Sequence, residues 1–278
     1  KNVFNIAVEG SFDDCQNIVK AMFADKAFAN EIKMSGVNSI NWARIIAQSV
    51  YYFYSYFLVK DNGDPINFSV PTGNFGDVYA GYLAKKIGLP INKFVVATNQ
   101  NDILHRAITN GAYKVENVLE TISPSMDIQI ASNFERLIFD LNDHSDKKTI
   151  DVMRSIKEKG KYEIEKEFLD KINVDFLSSR MDENEVLNTI KSVYEKFDKI
   201  LDPHSAIGYG AFDKVNLKGN NIVLATAHPC KFPDAIEKAI KIKAELPSEL
   251  AFILDEKENY DILENNLNKI KQHIKERI

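Results

Sequence analysis

Pro71-Thr72-Gly73-Asn74-Phe75-Gly76-Asp77 is the stretch of this chain that decides its fold. It follows an apolar run at 66–70 and precedes a helical pattern at 78–87, so the order strand, tight glycine loop and helix is predicted. The N-terminus of a helix carries unpaired backbone N–H groups and a partial positive charge. Because Gly73 and Gly76 lack a Cβ atom, a ligand can approach the backbone there, and the loop predicts a phosphate cradle.

The composition of this loop excludes two common phosphate-binding motifs. It has no Gly-Lys-Ser/Thr ending and no Gly-x-Gly-x-x-Gly pattern. What remains is a cup for one phosphate monoester, in which three or four amides at roughly 1.5–3 kcal/mol each hold a dianion. Asp77 would repel a phosphate if it pointed inward, so we expect it to face away and to cap backbone donors. On spacing alone, a plain glycine turn stays open as the alternative.

Bulk composition narrows the class of protein. The chain has 278 residues, enough for about two domains, and a net charge of −5, which argues against a nucleic-acid or anionic-membrane partner. Its two cysteines, Cys15 and Cys230, permit neither a metal motif nor a disulfide framework, as is typical of the cytoplasm. The longest apolar run, residues 50–59, is half of the ~20 residues that a bilayer requires.

The first part of the chain predicts two helices and a boundary. A strand at 3–8 leads through an acidic turn into a helix, which Asp13 or Asp14 can cap. Residues 38–58 form the longest helical pattern, and their many aromatic residues predict a helix that is buried over much of its surface. The turn cluster at 60–65 marks the expected boundary. Residues 1–62 are then the remainder of a smaller domain with a crossover helix.

Residues 63–278 predict a large phosphate-binding α/β domain. Two successive strand–helix units, at 66–87 and at 94–109, imply an open, mostly parallel sheet flanked by helices. Ser132 and Glu135 have capping-box spacing at the start of a helix, and a helical insertion is expected at about 130–200. Further strands are predicted at 221–225 and 251–254, and added helices close the chain, the last with an apolar stripe from Leu263 to Ile278.

Three polar clusters follow predicted strands: residues 72–77, 99–102 and 226–231. Ligands of open α/β sheets bind outside the carboxyl ends of the strands, so this coincidence favours the phosphate cradle over the plain turn. Thr226 ends a buried strand, and its hydroxyl is placed either to bond a ring nitrogen without charging it or to bond local backbone.

The histidines have no nucleophilic partner at a recognisable motif, and metal-ligand spacing is absent. We favour a structural role for His228 because Pro229 stiffens its segment. Lys231 is either an anion contact or an ordinary exposed lysine. Asp202, two residues before His204, is placed to hold the ring of that histidine.

Taken together, the motifs resemble the threonine synthase family, in its longer bacterial and fungal type. The resemblance is carried, in the family's order and over most of the chain, by residues 8–16, 38–44, 71–77, 125–128, 132–136, 202–208 and 226–232. It implies the fold-type-II class of pyridoxal 5′-phosphate enzymes, with a fold like that of tryptophan synthase β. The implied reaction converts O-phospho-L-homoserine and water to L-threonine and phosphate.

The resemblance also implies roles for single residues. Gly73, Asn74, Phe75 and Gly76 would hold the cofactor phosphate, with Asp77 anchoring the loop. Thr226 matches the residue that bonds the pyridine nitrogen, and a neutral hydroxyl leaves the ring a weaker electron sink than a carboxylate would. Asn133, Arg136, His228 and Lys231 are weaker candidates for the substrate side.

One family feature is missing from this sequence. The family attaches its cofactor to the lysine of a Phe-Lys-Asp segment, and these three residues do not occur in succession here. We therefore expect this chain to be the later part of a longer protein and to be inactive alone, since the lysine also serves as the base.

Two alternatives stay open beside this interpretation. One is another fold-type-II lyase or synthase acting on a different amino acid; the other is a non-catalytic protein that binds a phosphate ligand. Exposed sheet edges and the aromatic helix at 42–57 favour self-association.

Overall fold

The computed structural model describes residues 2–10, 12–60 and 63–278. The chain divides into two compact units, one formed by Lys1–Val37 with Leu246–Ile278 and the other by Asn38–Glu245. The domain boundary expected near residue 62 stays a prediction, and Asp61 and Asn62 of its turn lie outside the described residues.

The smaller unit is built on a pair of parallel strands. It contains β1 (Ile6–Glu9), α1 (Phe12–Ala24), α2 (Lys26–Glu31), β8 (Asp261–Glu264) and α12 (Leu267–Lys275). Strand β1 pairs in parallel with β8, and a small core of Ile18, Met22, Phe28 and Ile270 lies among the helices. The strand predicted at 251–254 is wrong, because Ser248–Asp255 is a 3-10 helix. Leu263, assigned to the final helix, lies in β8 instead.

The larger unit, residues 38–245, holds the main sheet. Its first half contains α3 (Trp42–Val59), β2 (Ile66–Pro71), α4 (Gly76–Lys86), β3 (Lys93–Thr98), α5 (Ile103–Asn110), β4 (Ala112–Lys114) and α6 (Phe134–Leu141). Its second half contains α7 (Asp146–Lys159), β5 (Lys161–Glu163), α8 (Lys166–Asp175), β6 (Phe176–Arg180), α9 (Glu183–Phe197), α10 (Pro203–Val215), β7 (Asn220–Val223) and α11 (Pro233–Ile240).

The main sheet has four parallel strands in the order β6-β3-β2-β7. Successive residues of a strand point to opposite faces, so Phe94 and Val96 of β3 join one core cluster while Val95 and Ala97 join another. Helices therefore cover both faces of the sheet. The predicted open parallel α/β architecture is confirmed, although β6 lies inside the stretch that was predicted as helical.

Helix α3 is less buried than its aromatic content predicted. Ile45 and Tyr52 are fully buried, and Tyr52 packs on Phe68 and Phe94 with ring centroids 4.9 and 6.0 Å apart. The opposite side of the helix is exposed at Trp42, Ile46, Val50, Tyr51, Tyr54, Phe57 and Leu58. The expectation of burial over much of the surface is wrong, because only one side of the helix packs against the sheet. Within the described ranges, no helix combines the length and apolar character needed to cross a bilayer.

Candidate functional site

The glycine loop between β2 and α4 presents open backbone amides. Among the described residues, the N–H groups of Gly73, Asn74 and Phe75 make no hydrogen bond. The N–H of Gly76 donates to Asn74 Oδ1 at 2.9 Å. Three of the four amides predicted to hold a phosphate are thus open, and the fourth is occupied by a side chain of the loop itself.

Phe75 fixes the shape of this loop. Its backbone is left-handed, with φ 69° and ψ 5°, a conformation that costs a residue with a Cβ atom about 1–2 kcal/mol. Its side chain is fully buried and packs on Phe134 and Phe176, at ring-centroid distances of 5.2 and 5.7 Å. Burial of the ring holds the strained backbone in place, and Phe75, the N-cap of α4, has no side-chain cap bond.

The two glycines of the loop are required by protein neighbours. A Cβ on Gly73 would lie 2.8 Å from the carbonyl oxygen of Ser125 and 3.3 Å from Cα of Met126. A Cβ on Gly76 would lie 3.1 Å from Cβ of Ser39. The sequence suggested that ligand approach explains these glycines, but the space of the missing Cβ atoms is filled by adjacent segments of the chain.

Ser39 ties the loop to a second segment and was missed by the sequence analysis. Its hydroxyl oxygen accepts from Asn74 Nδ2 at 3.2 Å and from Asn133 Nδ2 at 3.0 Å. The N–H of Asn133 also donates to the carbonyl of Asn74 at 2.9 Å. The only sequence signal was its position in the segment before helix α3, which matched the family without indicating a role. Asn133 therefore lies beside the loop and supports it.

The guanidinium of Arg136 is held by contacts within the protein. Its Nε donates to Asn133 Oδ1 at 2.9 Å, its Nη2 donates to the carbonyl of Ile40 at 3.1 Å, and its guanidinium lies 5.3 Å from the ring centroid of Trp42. The capping box predicted for Ser132 and Glu135 is wrong: Asn133 is the N-cap of α6 and makes no side-chain cap bond. Its amide group bonds Ser39 and Arg136 instead.

Asp77 faces away from the open amides, as expected, but it does not cap them. Its carboxylate accepts from the hydroxyl of Tyr52 at 3.2 Å, and that hydroxyl lies 2.9 Å from the backbone carbonyl of Asp77. Among the described residues, no backbone amide donates to this carboxylate, so the capping role is wrong. Burial raises the pKa of Asp77 to about 6, although the hydrogen bond from Tyr52 opposes the increase. The carboxyl anchors the first turn of α4 to helix α3.

Thr226 lies beyond the end of β7, the strand next to β2. The buried strand predicted at 221–225 is shorter and more exposed than expected, because β7 ends at Val223 and is only partly buried. Ser69 of β2 is in register with Val223 of β7, and the N–H of Leu224 donates to the carbonyl of Ser69 at 3.0 Å. The segments that follow these neighbouring parallel strands therefore meet at one edge of the sheet. Thr226 is exposed, and its hydroxyl has no hydrogen-bond partner among the described residues. The alternative prediction, that the Thr226 hydroxyl bonds local backbone, is therefore wrong.

His228 and Lys231 lie on the same connection as Thr226, between β7 and α11. The Nδ1 of His228 accepts from the N–H of Cys230 at 3.2 Å and lies 2.9 Å from its Sγ, so it caps a 3-10 turn at Pro229–Lys231. Lys231 is exposed and has no ion pair among the described residues. The histidine has the structural contact that the sequence favoured, and a substrate-side role for either residue stays a prediction.

The polar cluster at 99–102 is hydrogen-bonded to the loop that follows strand β4. Asn99 and Asn101 donate to Oδ1 of Asp127 at 2.7 and 2.9 Å, and Thr121 donates to it at 2.7 Å. These bonds tie the end of β3 to the following loop. All three clusters follow neighbouring strands, because β3 and β7 both lie beside β2. The asparagines after β3 are bonded to Asp127, whereas the amides of residues 73–75 and the Thr226 hydroxyl are open.

Asp202 and His204 lie under this edge of the sheet and are buried. Nδ1 of His204 lies 3.0 Å from Asp202 Oδ1, so the predicted contact is confirmed. Nε2 of His204 accepts from the N–H of Ser125 at 3.3 Å, which places the ring proton on Nδ1. Burial raises the pKa of Asp202, but hydrogen bonds from His204 and Ser205 outweigh it and hold the pKa below its ordinary value. The carboxylate is therefore ionised at neutral pH.

Comparison with known proteins shows which family this chain resembles. A family model described as "Threonine synthase, C-terminal" matches residues 205–274. The threonine synthase of Pseudomonas aeruginosa is 43% identical over 276 residues, which are 98% of this chain and 59% of that protein. The threonine synthase of Saccharomyces cerevisiae is 44% identical over 261 residues, which are 86% of this chain and 51% of that protein. The chain thus spans between half and three fifths of these relatives.

Solved structures agree with the sequence comparison. The PLP-bound threonine synthase from Brucella melitensis superimposes with a TM-score of 0.91 at 44% identity, over 99% of this chain and 60% of that chain. The yeast threonine synthase superimposes with a TM-score of 0.87 at 39% identity, over 99% of this chain and 59% of that chain.

The parallel α/β sheet, with open amides after β2 and a free hydroxyl after β7, has the fold of the fold-type-II pyridoxal phosphate enzymes. The resemblance seen in the sequence is confirmed at this level. Within that class, the chain belongs to the threonine synthase family.

Proposed function

We propose that this chain contributes the cofactor-phosphate side of a threonine synthase, which converts O-phospho-L-homoserine and water to L-threonine and phosphate with pyridoxal 5′-phosphate. The observation that carries the proposal is the pairing of three open amides with the free hydroxyl of Thr226 in the segments that follow two adjacent strands. The similarity to the PLP-bound threonine synthase from Brucella melitensis supports the choice of cofactor.

The residues present fit such a cofactor at both ends. Gly73, Asn74 and Phe75 offer three N–H donors at the N-terminus of α4, where the helix dipole adds a partial positive charge. The N–H of Gly76 is bonded to Asn74, so we assign that residue to the shape of the loop. Thr226 is the candidate partner of the ring nitrogen, with Asp77 anchoring the loop through Tyr52.

Pyridoxal 5′-phosphate supplies an electron sink for negative charge on the substrate carbons. The Thr226 hydroxyl would donate to the ring nitrogen without transferring a full proton, because an alcohol is far less acidic than a carboxylic acid. Asn133, Arg136, His228 and Lys231 remain the candidates for the substrate side. Two nitrogens of Arg136 are already bonded to protein acceptors. A role in positioning the loop through Asn133 is therefore better supported for Arg136 than a substrate contact.

Binding of the cofactor phosphate is tested on the full 278-residue chain. Titration calorimetry with inorganic phosphate and with pyridoxal 5′-phosphate should give saturable binding to wild type. Gly73→Val should abolish both, because the new side chain displaces the backbone of Ser125 from beside the loop. Gly160→Ala is the matched control: Gly160 has φ +67° and open space around it, so strain lowers stability without changing phosphate affinity.

The reaction is tested with the open reading frame that contains this sequence. It should restore growth without threonine to a strain that lacks threonine synthase, and the purified product should release phosphate from O-phospho-L-homoserine. Failure of both, with the protein folded and supplied with cofactor, would overturn the proposed activity. The 278-residue chain alone is expected to release no phosphate, because the Phe-Lys-Asp segment whose lysine attaches the cofactor in the family does not occur in it.

Location and assembly stay proposals. The net charge of −5 and two unpaired cysteines agree with a cytoplasmic enzyme that binds no nucleic acid. The exposed side of α3 and the sheet edges favour self-association, which sedimentation measurements on the purified chain would detect.

A further inference from the structure

One buried carboxylate lies between the two halves of the candidate site. Asp202 is the N-cap of α10, is almost completely buried, and accepts from the N–H of His204 at 2.9 Å. Its two oxygens bond different side chains: Oδ1 bonds Nδ1 of His204 and Oδ2 bonds the hydroxyl of Ser205. Each of these side chains continues to a different part of the candidate site.

The first connection reaches the phosphate end. With its proton on Nδ1, His204 offers the lone pair of Nε2 to the N–H of Ser125 at 3.3 Å. The carbonyl of that same residue lies 2.8 Å from the position a Cβ would take on Gly73. Because glycine allows this close contact, the segment that His204 holds forms the wall against which the phosphate loop rests. Phe232 packs on the imidazole at a centroid distance of 4.8 Å and restricts its rotation.

The second connection reaches the ring end. The Ser205 hydroxyl donates its proton to Asp202 Oδ2, so its oxygen is free to accept. It accepts from the N–H of Thr226 at 3.2 Å. That bond fixes the backbone of the residue whose exposed hydroxyl is the candidate partner of the ring nitrogen.

We propose that Asp202 is a positioning residue that sets the spacing between the phosphate loop and Thr226, through His204 and Ser205 respectively. The inference deepens the proposed function and rests on it. A rigid ligand with a phosphate at one end and a ring nitrogen at the other requires both contacts at a constant separation. One carboxylate that bonds both supports supplies this preorganisation without touching the ligand.

The experiment separates the two connections in the full chain. His204→Phe keeps a ring beside Phe232 but removes the acceptor for Ser125, whereas Ser205→Ala removes the acceptor for Thr226. Each variant also removes one side-chain hydrogen bond to Asp202 and leaves the other connection intact. Asp202→Asn disturbs both. The readouts are the dissociation constant of inorganic phosphate, which reports the loop alone, and the absorption spectrum of bound pyridoxal 5′-phosphate, which reports the ring environment. Thermal unfolding of each variant monitors folding.

We expect His204→Phe to weaken phosphate binding about fivefold, the change that one lost hydrogen bond gives, with little change in the spectrum. His204→Gln, whose amide can both accept and donate, should recover most of that affinity. Ser205→Ala should shift the spectrum and leave phosphate affinity at the wild-type value. Ser178→Ala is the matched control, because this hydroxyl donates to Val96 in the sheet and contacts neither connection.

The proposal is overturned if His204→Phe and Ser205→Ala change both readouts together in proportion to their loss of stability, or if neither variant changes either readout. If Asp202→Asn does not fold, the two single-connection variants still decide the question. If wild type binds neither phosphate nor pyridoxal 5′-phosphate, the proposed function fails first and this inference fails with it. Binding by wild type without the split between variants rejects the positioning role alone.

Discussion

Asp77→Asn should make the stability of this protein less dependent on pH. The Asp77 side chain is half-buried beside Tyr52, and desolvation of its carboxyl raises the pKa from 3.8 to about 6. The folded protein therefore holds a proton on this group between these two values, whereas the unfolded chain has already released it. Stability contributed by the neutral carboxyl is fully present below pH 3.8 and is lost as the pH rises through about 6.

The size of the effect follows from the two pKa values. One pKa unit corresponds to 1.36 kcal/mol, so the separation between 3.8 and about 6 costs the wild type about 3 kcal/mol at neutral pH. Asparagine keeps an oxygen that can accept from the Tyr52 hydroxyl but has no charge to bury. Relative to wild type, the variant should therefore gain up to about 3 kcal/mol in unfolding free energy between pH 4 and pH 8.

Urea unfolding followed by circular dichroism at several pH values between 4 and 8 measures this difference. Asp151→Asn is the control, because Asp151 makes an exposed ion pair with Arg154 at 3.1 Å and should give a nearly constant difference from wild type. Parallel stability curves for Asp77→Asn and wild type would show that Asp77 is solvated and ionised in the folded state. That result would refute the argument from burial.

Two other predictions concern the scaffold around the site. Gly81→Ala should destabilise the protein by about 1–3 kcal/mol or more, because the added Cβ would lie 2.4 Å from the Tyr52 ring and push α4 away from α3. The loss of stability should appear as a lower urea midpoint, and an unchanged midpoint would contradict the prediction. Asp182→Ala should cost about 1 kcal/mol, because it removes the capping box with Glu185 at the start of α9; Asp182→Asn, which keeps the N-cap acceptor, should recover most of the loss.

Local patterns in the sequence predicted the parts of the fold that depend on neighbouring residues. The fully buried strand that ends at Pro71, the glycine loop and the helix after it are found in that order, and Gly88 follows the end of α4 in the left-handed region at φ +112°. These signals act within one or two turns of chain. The same reasoning failed at Phe176–Arg180, where a short strand stands between Lys- and Glu-rich helices and has too few residues to show a period.

Side-chain roles at the site were predicted less well than its location. Serine and glutamate three residues apart predicted a capping box at 132–135, but Asn133 is engaged with Ser39, which is 94 residues away in sequence. Asp77 was expected to cap its own helix, but Tyr52, 25 residues earlier, supplies its partner. In both cases a local preference was overridden by a partner that spacing along the chain does not reveal.

The sequence by itself determined the element order around the glycine loop, the parallel α/β class and the positions of its polar clusters, since these depend on short-range periodicity and backbone freedom. Only the tertiary structure decided which clusters stay open, because β3 and β7 both lie beside β2 but the asparagines after β3 are bonded to Asp127. It also decided why Gly73 carries no side chain and which buried carboxylate supports both ends of the site. Those answers also depend on contacts that no local periodicity encodes: Ser125 donates to His204, 79 residues away, and Thr226 donates to Ser205, 21 residues away.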